Sequence, residues 1–174
     1  ELISMPAIVK PVDGTASRGV SLGRDRGKTA PCLQEAFSRS RGGSILVEQF
    51  LEGTEHTVTA FCVDGRFAIC GFADRAYHEK LRFFPYVFES GDTLPSTLPL
   101  RLQDRIRCDV ESAVMALELD PAFINTDVLV TQSGDVYLLE VTARLTGARI
   151  ATEVMRLSTG IDPLPNVVRL ALGE

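Results

Sequence analysis

The stretch FINTDVLVTQSGDVYLLEVTAR, residues 123–144, predicts the central structural element of this chain. Two apolar runs rich in β-branched residues flank a short polar break, QSGD at residues 132–135. A break of this length that contains a glycine is typical of the turn between two antiparallel strands. We therefore predict a β-hairpin.

Acidic residues face each other across the predicted hairpin. If Thr131 pairs with Val136, Asp127 lies directly opposite Glu140. Carboxylates on neighbouring strands, with Cβ atoms about 5 Å apart, repel each other unless a cation or a proton lies between them. Oxygen ligands without His or Cys favour magnesium or manganese over zinc. The hairpin therefore predicts a divalent metal site.

Side-chain alternation assigns the remaining residues of the hairpin to its two faces. The face with the two acids also carries Asn125, Thr142 and Arg144. The opposite face is apolar and carries Val128, Val130, Tyr137, Leu139 and Val141. The alternative interpretation is a solvated polar face on a half-exposed hairpin, and a slip of one residue would separate the acids. Because magnesium usually completes its shell with phosphates, the metal-site interpretation also predicts a phosphate-binding element elsewhere.

The composition predicts a globular protein and excludes several classes. With 174 residues and 45% hydrophobic content, the chain can build a core as one domain, or as one domain plus a small appendage. A net charge of −5 with scattered basic residues argues against a nucleic-acid partner. No apolar run approaches the roughly 20 residues that cross a bilayer, and the start ELISMPAIVK lacks the pattern of a signal peptide. We therefore expect no membrane partner and a cytoplasmic location.

The four cysteines show no metal-binding or redox spacing. Their positions are Cys32, Cys62, Cys70 and Cys108, without a CxxC pair. Two of them lie inside apolar, strand-like runs. The pattern predicts buried free thiols in a reducing cytoplasm rather than disulfides or zinc ligands.

A candidate phosphate-binding loop lies near the start of the chain. Residues 6–11, PAIVKP, predict a short strand, and the loop after it contains Gly14 and Gly19. Such a loop can bring backbone N–H groups close to an anion, and Lys10 and Arg18 add positive charge. A plain turn is the alternative, since the Walker pattern GxxxxGK[ST] is absent.

The remaining segments alternate between strands and helices. Strands are predicted over residues 44–51, 57–63 and 67–72, and helices over residues 29–40, 98–119 and from about 148 to 159. Asp64 and Gly65 form a two-residue hairpin turn. The third helix should bury Ile150, Val154 and Leu157. On spacing alone, Glu48 and Glu55 are solvated strand ends and His78 is a surface loop residue.

Four stretches, in one order, resemble the ATP-grasp superfamily. They are IVKP with its glycine loop, ILVEQFLEGTE, TDVLVTQSGDVYLLEVTAR, and TGID before a terminal helix. They are similar to the C-terminal part of carboxylate–amine ligases related to biotin carboxylase and carbamoyl-phosphate synthase. The most specific piece is LLEVTARLTG, where many members have E-x-N-x-R.

The resemblance implies an α+β ATP-grasp fold. Residues 1–52 would form part of a small α+β lid subdomain, and residues 53–174 the C-terminal subdomain, an antiparallel sheet flanked by helices. The family's N-terminal domain, which completes the substrate pocket, is not within this sequence and is expected as a partner from the same chain. ATP would lie between the lid and the larger body.

The resemblance also assigns site residues. Those implied to bind ATP are Lys10, Ser17, Arg18, Gly19, Glu48, Gln49, Phe50, Leu51 and Glu55. Lys10 and the glycine loop would contact the phosphates, residues 48–51 would hold adenine, and Glu55 would take the ribose hydroxyls. Arg75 and Lys80 lie near a stretch that can supply another phosphate contact.

The implied metal ligands are Asp127, Glu140 and Thr142, the first two in agreement with the strand pairing. Thr142 stands where many members have a metal-ligating Asn, and a hydroxyl is a poorer ligand than an amide carbonyl. The implied catalytic residues are Lys10 and Arg144. Arg144 matches the arginine that steadies the transferred phosphoryl group or the acyl substrate.

The implied function is that of an ATP-dependent ligase that forms a C–N bond. A small-molecule carboxylate attacks the γ-phosphate of ATP, and an amine captures the resulting acyl phosphate. ATP and Mg²⁺ or Mn²⁺ are the implied cofactors, and positioning with charge neutralisation carries the catalysis. Two alternatives stay open: a non-catalytic nucleotide-binding module, which Thr142 favours, and a kinase on the same scaffold.

Overall fold

The computed structural model of the protein describes residues 3–77 and 82–174. The chain divides into two compact units, one of Glu1–Glu52 with Tyr77–Gly91 and one of Gly53–Ala76 with Asp92–Glu174. Tyr77–Gly91 thus group with the first unit, although they follow Gly53–Ala76 in the chain. That the units are the lid and the C-terminal subdomain stays a prediction.

The first unit is a three-stranded sheet covered by one helix. Its elements are strand β1 (Ala7–Pro11), strand β2 (Ser21–Gly23), helix α1 (Arg26–Arg39) and strand β3 (Ile45–Gln49), with strand order β2-β1-β3. Val9, Cys32 and Ala36 form the buried core between helix and sheet. Helix α1 begins before the predicted residue 29 because the Asp25 carboxylate caps it, accepting from the Lys28 backbone N–H at 2.8 Å.

The second unit contains a five-stranded sheet. Its strands are β4 (Gly53–Val63), β5 (Arg66–Ala76), β6 (Gly91–Thr93), β7 (Ala122–Thr131) and β8 (Val136–Thr142), in the order β6-β5-β4-β7-β8. The pairs β4–β5, β4–β7 and β7–β8 are antiparallel. The predicted turn at Asp64 and Gly65 joins β4 to β5, and both residues have positive φ as a type I′ turn requires.

Helix α2 (Leu100–Ala116) packs on this sheet through its predicted apolar stripe. Ile106, Val110 and Val114 are completely buried and share a core with residues of β4, β5 and β7 such as Val58 and Ile124. Burial of this stripe is what makes the segment helical, since its period matches one face of a helix. None of the helices in residues 3–77 and 82–174 is long and apolar enough to cross a membrane.

The segment after β8 differs from the predicted regular helix. A π-helical turn (Ile150–Val154) leads into helix α3 (Met155–Thr159), and helix α4 (Leu164–Leu172) follows. Each π-turn inserts an extra residue and so rotates the following turn. As a result Met155 is buried, whereas Leu157, predicted to face the core, is 79% exposed.

The four cysteines are free and buried as predicted, with one exception in burial. All four cysteines are free, as predicted. Cys32, Cys62 and Cys70 are buried, and burial raises the pKa of the Cys70 thiol to about 11. Cys108 is exposed on α2, so the prediction of its burial was wrong.

Candidate functional site

The pairing of β7 with β8 brings the predicted acids together. Asp127 lies opposite Glu140, and Asn125 lies opposite Thr142, as the sequence predicted. These residues therefore share one face of the sheet, at its β7–β8 edge.

The register near the turn differs from the prediction. Val130, not Thr131, pairs with Val136, and the Thr131 N–H bonds to the Asp135 carbonyl oxygen at 3.0 Å. The loop thus has three residues and ends at Gly134 with φ +83, a common hairpin geometry. A β-bulge between this region and Asp127 then shifts the register by one residue and restores the predicted pairing of the acids.

The shorter loop also changes the faces of β8. Tyr137 pairs with Leu129, which puts it on the face of Asp127 rather than on the predicted apolar face. Its side chain is accordingly 44% exposed. Val136 and Val141 do pack against the core shared with α2.

Asp127 is held by two donors from other strands. Its Oδ1 accepts from the Thr57 hydroxyl at 2.8 Å, and its Oδ2 lies 2.6 Å from Nη1 of Arg75. The same Nη1 lies 3.8 Å from Oε2 of Glu55. The side chains of Arg75 and Asp127 are only 13% and 16% exposed, so this ion pair is shielded from water.

Glu140, by contrast, is accessible. Its side chain is 48% exposed, and Nη2 of Arg144 approaches its Oε1 to 3.6 Å. The Thr142 hydroxyl donates to the Asn125 backbone carbonyl at 3.1 Å, which leaves the lone pairs of the hydroxyl oxygen available to a cation.

The donor set on this face suits magnesium. The side chains offer carboxylate, hydroxyl and amide oxygens, and the Asn125 Oδ1 is buried without a hydrogen-bond partner among the described residues. A buried oxygen of this kind costs about 1–3 kcal/mol until a donor or cation reaches it. Within the described residues, no three His, Cys, Asp or Glu side chains cluster as metal ligands. Such a site fits a magnesium ion that shares its shell with water and phosphate.

The predicted phosphate and adenine residues lie in the first unit. Nζ of Lys10 on β1 forms an ion pair with Oε2 of Glu48 on β3 at 2.7 Å. Gln49 ends β3, and Phe50 follows it with its N–H bonded to the Pro6 carbonyl at 3.0 Å. Leu51, the last of this group, is half-buried.

The glycine loop has the backbone freedom that was expected of it. Ser17 and Gly19 both have positive φ, at 55° and 79°, and the Val20 N–H bonds to the Ser17 carbonyl oxygen. Arg18 between them is exposed. Positive φ at these positions gives the loop the backbone freedom that an anion-binding loop uses.

Glu55 lies instead in the second unit, on β4 opposite Leu129. The structure therefore groups Glu55 with Asp127 through Arg75. Two residues whose roles stayed open in the sequence analysis, His78 and Lys80, lie outside the described residues.

Sequence reasoning missed a buried polar cluster next to this group. His56 is 3% exposed, its Nδ1 lies 2.8 Å from Oδ1 of Asp74, and its Nε2 lies 2.8 Å from the Thr54 hydroxyl. Asp74 also accepts from the Ser96 hydroxyl and from the N–H and hydroxyl of Thr97. Burial alone would raise the pKa of Asp74, but these hydrogen bonds together hold it below its ordinary value.

The hydrogen bond between His56 and Asp74 holds together the two strand positions next to Glu55 and Arg75. His56 follows Glu55 on β4, Asp74 precedes Arg75 on β5, and His56 pairs directly with Asp74. The sequence offers one signal for this cluster, the two-residue turn at Asp64 and Gly65, from which the pairing of β4 with β5 can be counted. A bulge at Thr59 and Ala60 shifts that register, so the count from the turn does not pair His56 with Asp74.

The fold and the acidic hairpin define the class of protein that the sequence analysis expected, an α+β protein of the ATP-grasp type. The sequence profile of the ATP-grasp domain matches residues 2–148, and the chain belongs to this family. The expected fold class is thereby confirmed.

Among curated proteins, the chain is similar to D-alanine–D-alanine ligases. The protein from Geotalea uraniireducens is 32% identical over 79% of this chain and 43% of its own length. The protein from Parabacteroides distasonis is 24% identical over 92% of this chain and 48% of its own length. The chain therefore spans about half the length of the curated relatives it matches.

Solved structures give the same fold. An L-amino acid ligase from Bacillus licheniformis matches with a TM-score of 0.76 and 25% identity, over 93% of this chain and 37% of that chain. A biotin carboxylase from Campylobacter jejuni has a TM-score of 0.79 over 98% of this chain and 38% of that chain. At 18% identity, this second likeness shows the fold alone.

Proposed function

We propose that the chain is the ATP- and magnesium-binding part of a carboxylate–amine ligase. The observation that carries this proposal is the direct pairing of Asp127 with Glu140 on one face of β7 and β8. Facing carboxylates repel each other, which favours a cation between them, and the family to which the chain belongs is named for ATP. The named activities of the relatives, D-alanine–D-alanine ligase and L-amino acid ligase, support a small carboxylate and an amine as substrates.

The residues of the second unit would bind the metal and the ribose and would contact the transferred phosphoryl group. Asp127, Glu140 and the Thr142 hydroxyl would hold Mg²⁺, which when bound neutralises phosphate charge. Thr57 keeps the Asp127 carboxylate oriented through its 2.8 Å hydrogen bond. Glu55 would accept from the ribose hydroxyls. Arg144, nearly half exposed beside Glu140, would steady the transferred phosphoryl group.

The residues of the first unit would serve the rest of the nucleotide. Lys10 would contact the phosphates, with Ser17, Arg18 and Gly19 closing over them. Glu48, Gln49, Phe50 and Leu51 would hold the base. The Lys10 side chain is only 22% exposed and is already held by its ion pair with Glu48, so little side-chain entropy is lost when it binds an anion.

These groups supply position and charge rather than a nucleophile. The attacking group is the carboxylate of the substrate, which takes the γ-phosphoryl group and releases ADP. The acyl phosphate then reacts with an amine, which forms the C–N bond and releases phosphate. Fixed positive charges aimed at the phosphoryl oxygens lower the barrier to such a transfer.

A second candidate is a nucleotide-binding module without ligase activity. Thr142 favours it, because its hydroxyl stands where an amide ligand is common and is engaged with the Asn125 carbonyl. A module of this kind would bind ATP and turn nothing over.

Incubation of the full-length protein with ATP, Mg²⁺ and a panel of amino acids separates these functions. A ligase should release ADP and phosphate only when both a carboxylate and an amine acceptor are present. ATP binding without turnover would favour the module. A stable phosphorylated product would identify a kinase and contradict the ligase proposal.

The Lys10→Met variant tests the nucleotide assignment in this chain itself. ATP with Mg²⁺ should raise the melting temperature of the wild type, because a ligand that binds only the folded state stabilises it. Loss of one charge-assisted contact, about 1.5–3 kcal/mol, should weaken binding at least about tenfold in Lys10→Met. Thermal shift and calorimetric titration measure both quantities.

Lys28→Met is the matched control for this variant. Lys28 belongs to the same unit and also pairs with an acid, Asp25, but its side chain is 83% exposed. Its removal should leave ATP affinity unchanged. Equal ATP affinity in wild type and Lys10→Met would remove Lys10 from the site.

A further inference from the structure

Thr54, His56 and Asp74 form a chain of hydrogen bonds that ends at the surface of the second unit. Nδ1 of His56 lies 2.8 Å from Oδ1 of Asp74, and Nε2 of the same ring lies 2.8 Å from the Thr54 hydroxyl. His56 is 3% exposed, whereas Thr54 is an exposed residue. The bonds therefore run from a carboxylate through a buried imidazole to a hydroxyl at the surface. Hydrolases that use a hydroxyl as nucleophile have the same order of groups.

The partners of His56 determine where the protons of its ring lie. Burial alone would raise the pKa of Asp74, but its hydrogen bonds, the one from the Ser96 hydroxyl foremost, hold it below the ordinary value, so the carboxylate is ionised at neutral pH. An ionised carboxylate only accepts, so Nδ1 of His56 carries a proton and donates it. In the neutral ring Nε2 then has a lone pair, to which the Thr54 hydroxyl donates. Nε2 is thus placed to take the proton of this hydroxyl.

A pocket lies beside the hydroxyl. It has a volume of about 320 Å³ and is lined by Gly53, Thr54, Val130, Thr131 and Gln132. This volume is at the small end of the range for ligand pockets, so the pocket fits a short acyl group. Gln132 carries an amide, and amide N–H groups can donate to the oxygen of a carbonyl as negative charge develops on it. The pocket therefore combines a nucleophile with a donor of the kind that acyl transfer uses.

This pocket is separate from the proposed metal site. Thr54 pairs with Val130 and His56 pairs with Val128, and both valines belong to the core that the sheet shares with α2. Asp127, the neighbour of Val128 on β7, lies on the opposite face because side chains alternate along a strand. The proposed binding of ATP and magnesium uses neither Thr54 nor His56. The chain of hydrogen bonds therefore allows a second chemistry.

We propose that Thr54, His56 and Asp74 form a hydrolytic site for small esters, with Thr54 as the nucleophile. The Thr54 oxygen attacks the acyl carbon, and the proton of the hydroxyl moves to Nε2 of His56. The bond from the acyl carbon to the leaving oxygen breaks, and this oxygen departs with the proton from Nε2. Water then attacks the acyl-threonine by the same route, which releases the acid and restores the Thr54 hydroxyl. Asp74 keeps the ring in the required tautomer throughout.

Thr54→Val tests the nucleophile, because it removes the hydroxyl and keeps the branched shape of the side chain. The probe is p-nitrophenyl acetate, and the release of nitrophenol is measured against the release without protein. All proteins carry Cys108→Ser, since the exposed thiol of Cys108 would itself react with the ester. The parent protein should release nitrophenol at least about a hundredfold faster than Thr54→Val. Mass spectrometry of the acid-quenched reaction should find one acetyl group, on Thr54.

Three further variants complete the experiment. Thr54→Ser keeps a hydroxyl and should retain the rate within about tenfold. His56→Gln removes the general base and should slow the reaction at least about a hundredfold. Thr152→Val is the matched control, because Thr152 is an exposed threonine of the same unit whose hydroxyl bonds to the Arg149 carbonyl rather than to an imidazole. Its rate should equal that of the parent.

Three results would overturn the hydrolytic site. They are equal rates in the parent and Thr54→Val, an acetyl group that is found on other residues but not on Thr54, and unchanged acetylation of Thr54 in His56→Gln. The last result would mean that the imidazole is not the base and that its hydrogen bonds only hold the strands together. If His56→Gln does not fold, the comparison of Thr54→Val with Thr54→Ser decides, since both variants change an exposed residue.

Discussion

Glu140→Ala should abolish turnover of the full-length protein and Mg²⁺-dependent ATP binding by this chain, while the fold stays intact. The side chain is 48% exposed and its ion pair with Arg144 is long, at 3.6 Å. An exposed pair of this kind contributes about 0–1 kcal/mol to stability. Its loss is offset because the substitution also removes the repulsion with Asp127 on the opposite strand. Loss of one of two carboxylate ligands should lower turnover at least about a hundredfold, or about 2.7 kcal/mol.

The control for this variant is Glu111→Ala. Glu111 is a part-exposed glutamate in the same unit that pairs with Arg107 at 3.0 Å, on α2 rather than on the hairpin. Both variants should unfold in urea at nearly the same concentration as the wild type, and only Glu140→Ala should lose the thermal shift caused by ATP with Mg²⁺. Normal magnesium-dependent activity in Glu140→Ala would rule out the metal site on β7 and β8.

The hairpin shows both the strength and the weakness of predicting a site from the sequence. Asp127 and Glu140 do face each other, but the predicted register was wrong at the turn, where Thr131 closes on Asp135. A bulge compensates for the shorter loop. No propensity in the sequence marks that bulge, because its position depends on how β8 packs against the core. The acids were placed correctly although one step toward them was wrong.

Elements whose formation depends on nearby residues could be predicted from local sequence patterns. The turn at Asp64 and Gly65 and the stripe of α2 follow from backbone preference and from periodicity, both of which are visible in a single sequence. The phase of the helix after β8 does not, since the π-helical turn before Met155 rotates it by one residue. A constant helical period therefore predicted that Leu157 would be buried, whereas in the structure Met155 is buried and Leu157 is exposed.

The contacts of Arg75 and His56 could not be predicted because they join residues distant in the chain. Arg75 reaches Asp127 across the central strand of the sheet, and the strand order had to be known first. The sequence shows that Arg75 is basic and that Asp127 is acidic, but it does not show that the two side chains form an ion pair. Ion pairs between strands are thus the part of the site for which coordinates were needed.

Asp74→Ala should cause a large loss of stability, about 2–4 kcal/mol. The carboxylate accepts hydrogen bonds from the His56 ring and from the Ser96 and Thr97 hydroxyls, and also from the Thr97 N–H. The His56 ring is the buried donor of this set, and a buried donor left without its partner costs about 1–3 kcal/mol. The cluster ties β4 and β5 to the segment that leads into α2, so the second unit should unfold at lower urea concentration.

The pH dependence of stability identifies the charge of Asp74 as the cause. Burial opposes ionisation, but the hydrogen bonds from Ser96, Thr97 and His56 outweigh it, so the folded-state pKa lies below the unfolded value of about 3.9. A group with a lowered pKa stabilises the fold above its unfolded pKa and loses that contribution as the pH falls through the folded pKa. Wild-type stability should therefore drop below about pH 4, and the drop should be smaller in Asp74→Asn.

Urea unfolding at pH 7 and at pH 3 measures this difference, with Asp109→Asn as the control. Asp109 is a half-exposed aspartate on α2 whose ion pair with Arg105 is long, at 4.0 Å, so its replacement should leave the acid profile unchanged. The wild type and Asp74→Asn should differ most at pH 7 and approach each other at pH 3, because protonation removes in the wild type what the substitution has already removed. Parallel profiles for the two proteins would mean that the Asp74 carboxylate does not hold the β4–β5 pair as a charged acceptor, and that the neighbouring Glu55 and Arg75 are positioned by the strands alone.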